Sequence, residues 1–301
     1  MSQFLVQLGN AATAVEAYLS TILAKQEAAG TPRRLAEALR HSVLAGGKRF
    51  RPYLVFNSAA LFGVEREGAL PAAAAIEGIH CYSLVHDDLP SMDNDELRRG
   101  QPTVWKAYDE WTAILAGDAL QALAFELVSS PECHEDPGVR TELVQKLAAA
   151  SGAVGMVGGQ VLDLEAGNLP TDAAPTIAGV TRLQSMKTGR LIRAACEMGA
   201  ILGKAAPSEL AALRTYGEHL GTAFQISDDL LDAVGTTTNV GKATGKDAAA
   251  GKATLVGLLG VQAARDHLDQ VITAAVTALV AFGEKAEPLA DAARLMGHRG
   301  S

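Results

Sequence analysis

HCYSLVHDDLPSMDNDELRRG, residues 80–100, begins as an apolar helix, turns into a cluster of carboxylates and closes on Arg98 and Arg99. Pro90 lacks an N–H and clashes with the preceding turn, so the helix is expected to loosen there. On an unbroken helix Asp87 and Asp93 would lie about 600° apart at ~100° per residue, well off one face. A bend after Asp88 would bring them together. For a single acidic cluster the ordinary reading is a solvated helix end. Two features weigh against it. Carboxylates at a helix C-terminus oppose the helix dipole. A second cluster, Asp228, Asp229 and Asp232 in QISDDLLD, also ends an apolar helical run. Asp228 and Asp232, four apart, share a face. If the two clusters faced each other, each close like-charged pair would cost roughly 4 kcal/mol at about 4 Å and an effective dielectric near 20. Such a site needs divalent cations, and carboxylate oxygens are the ligands that Mg²⁺ prefers.

The 301 residues are 48% hydrophobic, enough for a sizeable core, and no Pro/Ser-rich linker divides them. A single domain over 1–301 is expected. The formal charge of −8 argues against a nucleic-acid partner, which would require a basic face. Cys81, Cys133 and Cys196 fit no metal or redox spacing and are expected as thiols in a reducing cytoplasm. The opening MSQFLVQLGN has no basic region followed by an apolar run, so no signal peptide is expected. The apolar run at 271–283 is too short for a bilayer, and no stable membrane insertion is expected.

Nearly every long segment has helical period. A first helix over 3–27 would bury Leu5, Leu8, Ala12, Val15, Leu19, Ile22 and Leu23. Gly30 ends it, Thr31 is placed to cap a second helix, and Pro32 takes its first position. That helix stops at Ala45-Gly46-Gly47, and Pro52 opens a third over 53–62. Pro71 is expected to start the helix carrying Glu77, His80 and the acidic cluster. Further helices are expected over 105–128, 138–166, 176–203 (interrupted at Lys187-Thr188-Gly189), 207–234, 252–283 and 286–298. A polar Gly/Thr/Lys loop is expected over 235–251. The predicted architecture is all-α, a bundle of about ten helices around a central cavity.

Four basic turns stand out from the net negative charge. GGKRFRP (46–52) puts two glycines and three cations before a helix N-terminus, a natural phosphate seat. Arg98-Arg99-Gly100 follows the first acidic cluster. Lys187-Thr188 marks a helix break, and Lys242 with Lys252 lies in the polar loop. One basic turn is weak evidence; four suggest an anionic substrate bridged by metal to the carboxylates. Glu77 and His80 have the Glu-x-x-His spacing of a di-iron bundle, but the chain has no second such pair. His80 is better read as a hydrogen-bond donor to phosphate, with a satisfied core histidine as the alternative.

Taken together, GGKRFRP (46–52), HCYSLVHDDLPSMDNDELRRGQPT (80–103), GGQVLD (158–163), KTG (187–189), FQISDDLLD (224–232) and GKATGKDAAAGKAT (241–254) resemble the trans-isoprenyl diphosphate synthases. The two-residue spacer Pro90-Ser91 resembles the bacterial farnesyl type. The resemblance implies that Asp87 and Asp93 hold two Mg²⁺ ions with Asp88 in support. It implies that Asp228 holds a third with Asp232 nearby, Mn²⁺ being an alternative ion. It implies that Arg98, Lys187, Thr188, Gln225, Lys242 and Lys252 grip an allylic diphosphate, with Asp87, Asp93, Arg98, Lys187, Asp228 and Lys242 carrying catalysis. Lys48, Arg51, His80 and Arg99 would grip isopentenyl diphosphate. Ionisation, condensation and proton loss would follow, with the released diphosphate as base. A cytoplasmic homodimer is also implied.

Three positions depart from the family pattern. Gln184 stands where a histidine is frequent, Asn94 replaces an aspartate, and the tail RLMGHRGS, with His298 and Arg299, is only loosely similar to the family's basic end. Tyr82 lies five residues before Asp87, about 7.5 Å along the helix axis. An aromatic there implies a cavity floor and a C15 product; ordinary core packing is the alternative. Within the class the rivals are synthases stopping at C10 or C20. A terpene cyclase would lack GGKRFRP and the second DDLLD, and a non-catalytic regulatory subunit would be expected to have lost aspartates from one cluster.

Overall fold

The apolar periodicity is expressed as helices throughout the residues that the computed structural model describes, namely 3–167, 175–234 and 254–299. The chain divides into two compact units, Met1–Gln145 with Ile201–Lys204 and Lys146–Ala200 with Ala205–Ser301.

The first unit is organised around α4 (Arg66–Asp87), which packs on α3 (Phe50–Ala60) and α6 (Glu110–Ser129), with α1 (Gln3–Ala28) and α2 (Arg33–Leu44) alongside. Ala72 to Ala75, Ile76, Ile79, Cys81, Tyr82 and Val85 of α4 are all buried. The alanines keep its surface thin, so neighbouring helices can approach from more than one side. Helix α4 begins five residues before Pro71, not at it. The carbonyl that loses its partner belongs to exposed Glu67, where water can substitute.

Three other expectations shift. The buried stripe of α1 is Phe4, Leu8, Ala11, Val15, Leu19 and Leu23, while Leu5 is exposed. Phe4 meets Tyr53 edge to face at 5.1 Å, and that contact sets the rotation of the helix. Thr31 does not cap α2; its hydroxyl donates to the Gln26 carbonyl and closes α1 instead. The helix expected from Trp105 is split into α5 (Val104–Ala107) and α6, because Asp109 caps α6 by accepting from the Thr112 N–H at 2.9 Å. Helix α6 and the run Pro137–Gly167 are long and apolar enough to cross a membrane by length and composition. Half of the α6 window is buried, largely against α4.

From Pro137 the chain forms α7 (Pro137–Ser151) and α8 (Met156–Gly167), broken by a turn at 152–155 where one helix was expected. In the second unit α9 (Ile177–Gln184) passes through a π-helical turn (Ser185–Gly189) into α10 (Arg190–Leu202), which gives physical form to the expected interruption at Lys187. Then come α11 (Pro207–Val234), α12 (Leu255–Leu259), α13 (Val261–Ala278), a 3₁₀ segment (Val280–Ala286) and α14 (Glu287–Arg299). Gly260, at φ 81°, separates α12 from α13. Tyr216 on α11 is fully buried and donates to the Leu289 carbonyl at 2.7 Å, tying α11 to α14.

A fully buried electrostatic tie in the first unit starts from a residue that looked like part of a basic turn. Arg49 sits in the left-handed region (φ 46°) before α3 and is buried. It donates to Glu77 at 2.7 Å, to Glu16 at 3.0 Å and to the Val43 carbonyl. Glu77 is itself 2% exposed, so the pair is desolvated on both sides. Glu77 thus serves a guanidinium, and the Glu77/His80 spacing has no metal role to explain. Glu77→Gln would strand a buried charge and should cost about 3–5 kcal/mol of stability. Replacing both partners by Arg49→Met with Glu77→Leu should recover much of the loss. Urea denaturation measures both, and a Glu77→Gln loss under about 0.5 kcal/mol, the range of an ordinary surface change, would show the pair to be structurally idle.

Candidate active site

Helix α4 ends at Asp87, with Asp88 as its C-cap, and the chain then folds back. The Asp93 N–H donates to the Asp87 carbonyl at 2.8 Å, and the Asn94 N–H donates to the Leu89 carbonyl at 3.0 Å. The bend expected at Pro90 therefore exists and brings the Asp93 backbone onto the Asp87 backbone. The three aspartates are treated differently. Asp88 is buried, and Arg98 grips both its oxygens, Nε at 2.8 and 3.0 Å and Nη2 at 2.5 Å. Arg98 also reaches Asp95 at 3.5 Å. Burial pushes the Asp88 carboxyl above its usual range despite that grip. Asp87 is half-buried and Asp93 exposed.

Arg98 and Arg99 are carried by a two-residue hairpin that sequence periodicity gave no sign of, Leu97 pairing with Pro102 and Arg98 with Gln101. Its central residues, Arg99 (φ 53°) and Gly100 (φ 76°), both have the positive φ that such tight turns need. The Arg99 guanidinium lies against Gly47 and donates to the Gly46 carbonyl. Gly46 (φ 80°) and Gly47 (φ 139°) hold a backbone that other residues rarely adopt, and a Cβ on Gly47 would overlap the guanidinium.

Around this turn the cations crowd. Burial, then the neighbouring Arg51 and Arg99, hold His80 well below its usual range, so its imidazole is neutral at ordinary pH. Burial lowers Arg51 as well, and its buried Nε has no hydrogen-bond partner. Lys48 is exposed at the start of the same turn. Arg51, His80 and Arg99 are thus brought together beside the α3 N-terminus, where an anion would relieve the repulsion between the two guanidiniums.

Tyr82 is buried, and burial raises its phenol. Its ring meets His86 edge to face.

The second unit explains GGQVLD, which had no role on spacing alone. Helix α8 packs on the π turn, and a Cβ on Gly159 would overlap the Lys187 backbone. Asp163, one turn on, binds the Lys187 ammonium at 2.6 Å. Gln160 is buried with neither amide atom partnered. In the second acidic cluster Asp229 is buried and accepts from Gln184 Nε2 at 2.9 Å and from the Leu255 N–H at 3.2 Å. Gln184, at the position where a histidine was expected, therefore has a defined partner, its amide set on the Asp229 carboxylate. Asp228 is exposed and Asp232 half-buried. Gln184, Arg190, Gln225 and Leu255 line a cavity of about 260 Å³, and Thr188 is half-buried. Lys242 and Lys252 lie outside the described residues, as do the side chains of His298 and Arg299. Gly159, Gln160 and Asp163 were not foreseen individually; the quoted GGQVLD stretch was their signal.

Among the described residues, no three His, Cys, Asp or Glu side chains converge as a ready metal centre. The donors on offer at each acidic cluster are nonetheless all carboxylate oxygens, the chemistry that suits a hard cation.

A family model described as Polyprenyl synthetase matches residues 32–284. The farnesyl diphosphate synthase of Escherichia coli is 43% identical over 283 residues, 91% of this chain and 92% of that one. A putative chloroplastic geranylgeranyl pyrophosphate synthase of Arabidopsis thaliana is 43% identical over 265 residues, 86% of this chain and 72% of that one. A crystal structure described as an FPP/GFPP synthase from Zymomonas mobilis, apo, superposes with a TM-score of 0.85 at 44% identity, covering 97% of this chain and 99% of that one. The all-α fold read from the sequence is the fold of that enzyme, and the chain belongs to the polyprenyl synthetase family.

Proposed function

We propose that the protein is a trans-prenyltransferase that condenses isopentenyl diphosphate with dimethylallyl or geranyl diphosphate to give (2E,6E)-farnesyl diphosphate and pyrophosphate. The observation that carries this reading is the return of Asp93 onto Asp87 at the end of an apolar helix, in a chain 43% identical to a farnesyl diphosphate synthase. The match at 32–284 runs through both compact units, which supports one polyprenyl synthase domain over 1–301.

In this reading Asp87, Asp93 and Asp228 hold Mg²⁺, with Asp88 and Asp232 in support. Bound Mg²⁺ supplies charge neutralisation for the departing diphosphate. The protein's own cations do the rest of the anion binding. Arg98, Lys187, Thr188, Gln225, Lys242 and Lys252 take the allylic diphosphate, for which Lys187 must exchange its bond to Asp163 for a phosphate oxygen. Lys48, Arg51, His80 and Arg99 take isopentenyl diphosphate; the unpartnered Arg51 Nε is a buried donor for a phosphate oxygen, and the neutral His80 is a donor that adds no charge. Fixed donors aimed at the leaving group favour ionisation over the bound ground state. The double bond of the second substrate then attacks the allylic cation, and the released diphosphate accepts the proton.

Relatives named for farnesyl and for geranylgeranyl products are equally identical to this chain, so identity does not divide C15 from C20. Tyr82 favours C15, since a buried ring five residues before Asp87 would stop the growing tail. A homodimer fits the family and the outer face of α6, where Trp111, Ile114 and Leu115 are 55%, 43% and 49% exposed. The three cysteines are buried and form no disulfide, in keeping with a cytoplasmic enzyme.

Incubation with labelled isopentenyl diphosphate, geranyl diphosphate and Mg²⁺ tests the assignment. Asp87→Ala and Asp228→Ala should each lower turnover about a thousandfold, as expected for several kcal/mol of lost charge stabilisation, with helical circular dichroism retained. Near-normal turnover in either would overturn the metal assignment. Tyr82→Ala should yield products longer than C15, and an unchanged product spectrum would remove Tyr82 as the floor. Light scattering should give twice the chain mass, and Trp111→Glu should give a monomer; a monomeric parent protein would end the dimer assignment.

A further inference from the structure

We propose that His86 and Gly117 set product length by holding Tyr82 in position, so that the floor of the tail cavity is a three-residue assembly shared by α4 and α6. The proposal rests on the reading of Tyr82 as that floor. It starts from a histidine that the mechanism above leaves without a task.

His86 lies one turn after Tyr82 on α4, and the two rings meet edge to face, centroids 5.7 Å apart and planes at 79°. This is the geometry that aromatic pairs prefer, with the positive edge of one ring on the negative face of the other. The other side of the imidazole is fixed by α6. His86 Nε2 lies 3.0 Å from the Ile114 carbonyl, which can only accept, so Nε2 carries the proton and donates. Asp118 Oδ1 stands 4.0 Å from the same nitrogen. Between them Gly117 is buried, and a Cβ built on it would overlap Nε2 and Cδ2 of the ring. The absence of a side chain at 117 is therefore what lets the imidazole sit in its place against α6. Tyr82 is buried and His86 half-buried, so the buried phenol ring is supported by a neighbour nearer the surface.

Two changes then move the floor in opposite directions. His86→Ala removes the edge against which Tyr82 rests and leaves a space into which the phenol ring can turn, which deepens the cavity. Gly117→Ala expels the imidazole from α6 and drives it onto Tyr82, which makes the cavity shallower. Neither change alters Tyr82 or any residue assigned to metal or diphosphate.

The test is product chain length with labelled isopentenyl diphosphate, separately with dimethylallyl and geranyl diphosphate, in the full-length protein. His86→Ala should raise the C20:C15 ratio about tenfold, a difference of roughly 1.4 kcal/mol between the barriers to stopping and extending. Gly117→Ala should raise the C10:C15 ratio from dimethylallyl diphosphate by a similar factor. His86→Phe, which keeps an aromatic edge, should stay near the parent distribution. Parent-like ratios in both His86→Ala and Gly117→Ala, while Tyr82→Ala lengthens the product, would overturn the buttress and leave the floor standing. If Tyr82→Ala also leaves the product unchanged, floor and buttress fall together. Should His86→Ala lose all turnover through its neighbour Asp87, Gly117→Ala decides alone: a shift to C10 supports the assembly and an unchanged ratio refutes it.

Discussion

A helix that ends in carboxylates works against its own dipole, and in each unit one carboxylate of the acidic cluster is buried and held by fixed donors. In the first unit it is Asp88, buried at the C-cap and gripped on both oxygens by Arg98. Without that cation the last turn of α4 would carry an unpaired charge into the core, a far larger penalty than the dipole alone imposes. The same grip ties the hairpin that bears Arg98 and Arg99 to the end of α4, so the basic turn and the acidic bend are positioned by one interaction. In the second unit the buried carboxylate is Asp229, inside α11 and held by an amide and a backbone N–H instead of a cation.

The doubled aspartate has a geometric reason. Neighbouring helical residues differ by about 100° around the axis, so when one side chain of such a pair turns into the protein, the other is carried off that direction. Asp88 and Asp229 are buried; Asp87 is half-buried and Asp228 exposed. One aspartate of each pair is held inside the protein and its neighbour lies nearer the surface. A purely ligand-based view of the clusters would assign all of these residues alike, and their burial separates them.

Much of this was legible in the sequence because it depends on local rules. Pro90 announced the bend, GGKRFRP announced a turn before a helix N-terminus, and KTG announced the irregularity that takes the form of a π turn. What escaped were features decided by partners distant in sequence. Phe4 is buried in place of Leu5 because Tyr53 is there to meet it. Arg49 looks like one of three interchangeable cations in its turn, yet Glu16 and Glu77 make it a core residue. The hairpin at Leu97–Pro102 is too short to show alternation. GGQVLD carried a signal without a meaning until Gly159 and Asp163 were seen against Lys187.

The glycines of the two units point to a common constraint. Gly47 faces the Arg99 guanidinium, Gly117 the His86 ring and Gly159 the Lys187 backbone, and in each case a methyl group would displace the group opposite. These are positions where a neighbouring group comes closer to a backbone than any side chain permits, so the missing Cβ specifies geometry rather than flexibility. A charge or a ring held this way has few alternative positions, because the surface behind it is backbone and cannot rotate aside. Rigid placement of this kind is what a site needs if it is to bind an anion with donors already aimed, or to stop a growing chain at one length instead of a range.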